Sequence, residues 1–352
     1  MGKRVIVIGG GIIGASVAWH LARRGAEVTV LSAGPGPASG ATFGWINASF
    51  YLDEAHFRLR QAGMAAWHRL EAVAGQGLVD WCGCLNWEEP DPAETARRLS
   101  GLGYAIRQLP GTELRVREPR LAGLSDTALH APEEGIVEGA EAVARLLAGS
   151  GGVVLSGVKV SALLAEKGRV SAIDTNAGRF EADHVVLAAG TETAALLAPL
   201  GIELPMLQRP GMVLRTRPVE KVLSHIIVAP GQELRQDAAG RLVASTVGKH
   251  QEDRADRIAE RPDLAAEATL ARIAALLPGV DLELESVTLA NRPMPADERP
   301  VIGAVGPEGL TVAVMHSGVT LAAILGELVA AEVMTGADDP LLRPYRPSRL
   351  IA

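Results

Sequence analysis

Gly9, Gly11 and Gly14 are spaced GxGxxG inside "VIVIGGGIIGASVAWHLARRGAEVTVLS", residues 5 to 32. Between a strand and a helix that spacing has a physical purpose. The first glycine permits the tight turn, the second lets backbone approach a pyrophosphate, and the third lets helix pack on strand. The helix amides then face the phosphates. Both flanks are present: Val5 to Ile8 are β-branched and apolar, as in a strand buried on both faces. A helix is predicted from about Ile13 to Arg24, stopped by Gly25, and Glu27 to Leu31 makes a second strand. The departure is Ser32, standing where an Asp or Glu normally accepts from an adenosine ribose. Loss of that acid suits a 2′-phosphate only beside an Arg or Lys, and Ala33-Gly34-Pro35-Gly36-Pro37 supplies neither. NADP is disfavoured, and the cofactor must be identified elsewhere in the chain.

The remaining reactive side chains are few. Cys82 and Cys84, in "DWCGCLNW", are the only cysteines. They are too close for an easy disulfide and too few for a zinc site, so they read as packed, reduced thiols in a reducing compartment. His225 and His250 lie in no motif. A net charge of −7 without a basic block argues against nucleic acid or an anionic membrane as partner. With aromatic residues at 3%, base stacking is also disfavoured. No apolar run reaches the ~20 residues of a membrane span. Lys3-Arg4 before apolar residues has the look of a signal peptide, but its removal would destroy the strand-turn-helix unit, so it reads as mature fold. The expected location is cytoplasmic.

At 352 residues and 48% hydrophobic, the chain suits two domains with sizeable cores. After Ser32 comes a loop of small residues, "AGPGPASGATFGWINASF", of the kind that lies against a bound cofactor. Residues 54 to 75 have helical spacing (Phe57, Met64, Trp67, Leu70), and 88 to 120 suggest peripheral excursions. "EGIVEGAEAVARLLAGSGG" contains a helix closed by Gly149. It leads into a strand, a meander turning near Lys167-Gly168 and Asn176-Ala177-Gly178, and a buried strand from Val185 to Ala188 ending at Gly190. From about 202 to 295 strands with polar alternation dominate, including a hairpin turning near Ala238-Ala239-Gly240. One helix interrupts them, with Asp263 as its cap and Pro278 at its end. "GLTVAVMHSG" and "VTLAAILGELVAAEVMTG" read as a last strand and a long helix ended by Gly336.

In order and spacing, these pieces resemble the FAD-dependent amine and amino-acid oxidoreductases that include D-amino-acid, glycine and sarcosine oxidases. The matching segments are the GGGIIG unit, "SGATFGWINA", "APEEGIVEGAEAVARLL", "VVLAAGTETAALLAPLGIELPMLQRPG", "NRPMPADERPVIG" and "HSGVTLAAILGELVAAEVMTG". The resemblance implies an α/β fold. A discontinuous Rossmann-like FAD-binding domain (1–50, 131–200 and 296–352) would join a smaller α+β substrate domain with a mixed or antiparallel sheet (51–130 and 201–295). It also implies that Gly9, Gly11, Ile12, Ile13 and Gly14 cradle the pyrophosphate, with Ser32 at the ribose. Ser39, Gly40, Gly44 and Trp45 would line the ribityl chain and ring, Val160 would hold adenine through its backbone, and Gly190 would also bind the cofactor. Gly318, Val319, Thr320 and Leu321, after His316-Ser317, would aim helix amides at the flavin pyrimidine and stabilise the charge it gains on reduction.

Two catalytic residues are implied. Arg292 in "NRPMPADERP" matches the arginine that grips the substrate carboxylate, for which guanidinium offers two parallel charged hydrogen bonds. The competing reading is a surface arginine paired with Asp297 or Glu298. His316 faces substrate or flavin, or is structural. The expected reaction is oxidation of the C–N bond of a small amino acid or N-substituted amino acid. Oxygen or an electron-acceptor protein would take the electrons, in a homo- or hetero-oligomer. The alternatives are a subunit of an opine- or hydroxyproline-type dehydrogenase and a non-catalytic relative that binds a metabolite. The tyrosine that several members of the family place beside the arginine has no assignable match, and no cysteine follows Cys84, so FAD is expected to be non-covalent.

Ser32 yields a prediction. A hydroxyl accepts a ribose hydrogen bond as a neutral group, whereas a carboxylate offers two charged oxygens. The difference is about 1 kcal/mol. Ser32→Glu should therefore lower the Kd for FAD several-fold in a titration of apoprotein; weaker binding would mean that the site is rebuilt around the serine.

Overall fold

The computed structural model describes residues 2–247, 255–258 and 261–351. Strand Arg4–Ile8 lies at the heart of a six-stranded sheet, paired in parallel with Glu27–Ser32 on one side and His184–Leu187 on the other. Being covered on both faces, it needs the unbroken run Val5 to Ile8 rather than an alternating pattern. Val153–Ser156 extends the sheet beyond Glu27–Ser32, while Leu310–Val314 and the antiparallel edge Val301–Ala304 extend it beyond His184–Leu187. The sheet is thus drawn from the beginning, middle and end of the chain. Connections leave the first strand in both directions, and a crevice opens at the carboxyl ends of the strands at that reversal.

Close backbone approaches fix the helices. Helix Ile12–Arg23 packs on the last helix, Gly318–Thr335, where a Cβ on Gly326 would fall 2.2 Å from Ser16 Oγ. Helix Glu54–Ala74, whose start Asp53 caps by accepting from His56 N at 2.8 Å, crosses the same last helix. There Trp67 Nε1 donates to the Val319 carbonyl at 2.9 Å. This helix was expected in the substrate-side segment 51–130, yet it packs on the nucleotide-side layer. The last helix is long and apolar enough to cross a membrane by length and composition, but 56% of it is buried inside the protein, as in a core helix.

The second layer is an eight-stranded mixed sheet ordered Leu284–Asn291, Pro210–Thr216, Leu242–Ser245, Gln232–Gln236, Ile226–Ala229, Cys84–Asn86, Thr127–Ala131, Arg107–Pro110. The domain expected to be smaller carries the larger sheet. One face packs Leu234, Leu242 and Ala244 against Ala266 and Ile273 of helix Pro262–Leu276. The other face shares a core with the first layer, Val213, Val228 and Val243 meeting Phe43, Trp45 and Ile136. The meander Val160–Glu166, Arg169–Thr175 and Gly178–Glu181 turns at Lys167-Gly168, both at positive φ, and at 176–177.

Local differences have local causes. The stretch 88–120, expected as peripheral excursions, contains helices Pro92–Gly101 and Gly111–Arg117 and the sheet's edge strand Arg107–Pro110. Asp263 does not cap its helix: Arg261 holds the N-cap position, and Asp263 sits in the first turn with its carboxylate on the Arg261 guanidinium at 2.5 Å. Ser39-Gly40 close a short helix, Pro37–Gly40, inside the expected loop.

Gly63, on helix Glu54–Ala74, tests the packing. A Cβ there would lie 2.5 Å from the Thr320 carbonyl oxygen, a backbone atom that cannot rotate away. Gly63→Ala should cost about 1–3 kcal/mol in denaturant unfolding. Unchanged stability would mean that the two helices separate without penalty.

Candidate active site

Two cavities meet between the layers. The larger, about 930 Å3, runs from Ser32 past Gly9, Gly11 and Ser39 to His316 and Thr320. The second, about 640 Å3, is walled by Cys84, Asn86, Leu129 and Ala131 of the eight-stranded sheet and by Tyr51, His56 and Glu134. Trp45, Arg60, Arg292, His316 and Ser317 line both, so they mark the junction.

At the nucleotide end, Gly9 has φ +114°, and a side chain there would strike the Ala188 carbonyl. Ile12 N donates to Ser39 Oγ at 3.0 Å, leaving that hydroxyl's proton for an anion at the helix start. Ser32 Oγ donates to the Gly34 carbonyl at 2.7 Å, so it can meet a ribose hydroxyl only as an acceptor. Ile13, Gly44, Val160, Gly190, Gly318 and Val319 also line this cavity. Gly14, Gly40 and Leu321 stand off it. A Cβ on Gly14 would fall 1.9 Å from the Gly9 carbonyl, which makes it the helix–strand packing glycine, and Leu321 is wholly buried in the core. The shape fits an extended dinucleotide: glycine backbone at a helix start, apolar walls at Val158 and Val160, and a second helix start at the far end.

That second start is unusual. Ser317 adopts φ +60° and does not cap its helix through its side chain. Its Oγ accepts instead from Arg60 Nη1 at 2.7 Å and lies 3.3 Å from His316 Nδ1. The first-turn amides of Gly318 to Thr320 thus reach the cavity without a side-chain cap, where the helix dipole favours negative charge.

Arg292 follows strand Leu284–Asn291. Its Nε donates to the Arg209 carbonyl at 3.2 Å and its Nη2 to the Pro210 carbonyl at 3.4 Å, which orients the guanidinium at the junction. Asp297, one expected partner, is engaged by Arg349 at 2.6 Å, and Glu298 lies 4.0 Å from Arg209. His225 bonds Glu118 at 2.7 Å away from both cavities, and His250 lies outside the described residues.

Sequence reasoning missed Arg60, Asn47 and Glu134. The buried Arg60 guanidinium donates from Nε to the Asn47 carbonyl at 3.0 Å and from Nη2 to Asn47 Oδ1 at 2.5 Å. Burial lowers its pKa to about 10, so it remains a cation at neutral pH. The signal was its place on the apolar stripe of Phe57, Met64 and Trp67, where an arginine needs buried partners. Glu134 is buried and accepts from Trp45 Nε1 (2.7 Å), Ser49 Oγ (2.7 Å) and Tyr104 OH (2.6 Å). Burial raises its pKa against these donors. His56 is pushed down to about 3 by burial and is neutral, its Nδ1 accepting from Leu52 N. Tyr51 lines the second cavity, the one tyrosine that does so among the described residues.

Comparison with known proteins agrees with this layout. The bifunctional protein ThiO/ThiG of Trichormus variabilis is 29% identical over 380 residues, covering 99% of this chain; the chain spans 55% of that relative's length. Glycine oxidase of Pseudomonas putida is 28% identical over 378 residues, covering 99% of both chains. The crystal structure of iminodiacetate oxidase from Chelativorans sp. BNC1 superposes with a TM-score of 0.81 at 27% identity, covering 98% of this chain and 99% of that one. The profile described as FAD dependent oxidoreductase matches residues 4–332, and the chain belongs to that family.

Proposed function

We propose that the chain oxidises the C–N bond of a small amino acid or N-substituted amino acid. The observation that carries this reading is Arg292, a guanidinium that lines both cavities at their junction and is held there by the Arg209 and Pro210 carbonyls. A substrate carboxylate docked on it from the second cavity would place its Cα–H towards the first. FAD, when bound, supplies the acceptor for a hydride. The chain's own part is positioning: Arg292 fixes the carboxylate, and the amides of Gly318 to Thr320 offer positive potential at the far end of the first cavity. His316 borders both cavities and is proposed to contact the substrate or the ring. Loss of hydride leaves an imine, which water hydrolyses to a keto or aldehyde acid and an amine.

The names of relatives, glycine oxidase and iminodiacetate oxidase, support the amino-acid class. The second cavity, at about 640 Å3, has room for an N-substituent or a side chain. The free thiols Cys82 and Cys84 accord with the proposed cytoplasmic location.

Arg292→Leu should retain FAD and lose more than a hundredfold in kcat/KM, the value of a charged bidentate contact at about 3 kcal/mol. Unchanged kinetics would remove the carboxylate from the account. Peroxide formed in step with substrate oxidation would identify oxygen as the acceptor. Acid precipitation should leave all flavin in the supernatant, and a yellow pellet would contradict non-covalent binding.

A further inference from the structure

Arg209 lines the second cavity together with Arg292, and the reaction above gives its side chain no task. The strand register explains why the two meet. Leu207 stands opposite Met294 and Pro210 opposite Asn291, so Arg209 falls opposite Arg292, whose N–H donates to the Arg209 carbonyl at 2.8 Å. Directly opposed residues of an antiparallel pair project to the same face, about 5.5 Å apart at Cα where their backbones bond. Met294, two residues beyond Arg292 and on the same face, lines the cavity too. Both guanidiniums therefore enter the wall of one cavity, although like charges so opposed destabilise a sheet.

The Arg209 guanidinium is held in place but not neutralised at close range. Its side chain is 13% exposed, and its Nε is buried with no hydrogen-bond partner. Nη1 donates to the Gln208 carbonyl at 2.9 Å, and Nη2 has Glu298 Oε1 at 4.0 Å, beyond hydrogen-bond reach. The cavity's other carboxylates are Glu89 and Glu134, and Glu134 is taken by Trp45, Ser49 and Tyr104. Its other arginines are committed as well: Arg60 to Asn47 and Ser317, and Arg98 to the Tyr51 hydroxyl, over whose ring it lies at 5.4 Å. An opposed pair of cations with a buried, unbonded donor costs stability. An anion entering the cavity beside Nη2 offsets the repulsion.

We propose that Arg209 holds a second carboxylate of the substrate, so that the enzyme prefers amino or imino acids with two acid groups. This rests on the amino-acid reading above, in which Arg292 takes the carboxylate next to the reacting carbon. Arg209 makes a charge-assisted bond to the other, carried either on the nitrogen substituent or on the side chain. It takes no part in the hydride step. It acts on specificity, because a neutral analogue leaves its charge unanswered.

The test compares substrates that differ in one acid group. Iminodiacetate against N-ethylglycine places that group on nitrogen, and aspartate against asparagine, in both enantiomers, places it on the side chain. FAD-loaded wild type should show at least tenfold higher kcat/KM for the diacid of one pair. Arg209→Gln should cut that preference at least tenfold with its FAD retained, and Arg209→Lys should keep part of it. Binding of succinate against butyrate, read from perturbation of the flavin spectrum, should follow the same order without turnover. Should Arg209→Gln fail to fold, Arg209→Lys and the wild-type succinate preference decide. Equal kcat/KM within every wild-type pair would overturn the proposal. So would equal loss of both members in Arg209→Gln, which would mean that the two arginines share one carboxylate. Failure of every amine to reduce wild-type flavin, with succinate still preferred, would instead overturn the reading on which it rests.

Discussion

The buried guanidinium of Arg60 ties together three segments that are distant in sequence. It donates twice to Asn47 in the loop after the nucleotide unit and once to Ser317 at the start of the last helix, and it is itself carried by helix Glu54–Ala74. A buried cation with its hydrogen bonds made is stable only in one arrangement, and loss of one partner leaves an uncompensated charge. The arrangement it selects puts Trp45, Ser317 and His316 at the place where the two cavities open into each other. Ser317 is drawn away from capping its own helix, and that helix start becomes available to a ligand instead.

Around this point the elements of the nucleotide-side layer are brought close by positions that have no side chain. Gly14 lies on the Gly9 carbonyl, Gly63 on the Thr320 carbonyl, and Gly326 on Ser16. Each contact sets the height of one element over another, and together they fix how the three helices pack against one another and on the first strand. A polar residue on the inner face of the eight-stranded sheet can be buried where it answers groups across the gap. Arg235 donates to the Phe43 carbonyl and to Glu138.

The nucleotide half was legible because its elements are set by local pattern. The run Val5 to Ile8, the glycine spacing and the next strand form one contiguous unit whose geometry dictates its residues. The meander was legible for the same reason, since Gly168 and Gly178 mark its turns. The second half was less so. Polar alternation normally marks a solvent face, yet in Gln232–Gln236 both sides are covered, and the pattern alone does not distinguish water from a facing layer. Arg60 and Glu134 were missed because their partners lie far away in sequence: Ser317 is 257 positions from Arg60, and Trp45 is 89 from Glu134. Arg292 was found through its motif, and its orientation by the Arg209 and Pro210 carbonyls required the fold.

The central claim is that an amine is oxidised while its carboxylate is held at the cavity junction. The most direct measurement is the visible spectrum of the FAD-loaded protein under anaerobic conditions, with each amino acid compared with its decarboxylated counterpart. Proline against pyrrolidine and sarcosine against dimethylamine are suitable pairs. The account predicts that the flavin band bleaches with at least one of the amino acids and not with its counterpart. Equal bleaching by both members of each pair, or by neither, would contradict it.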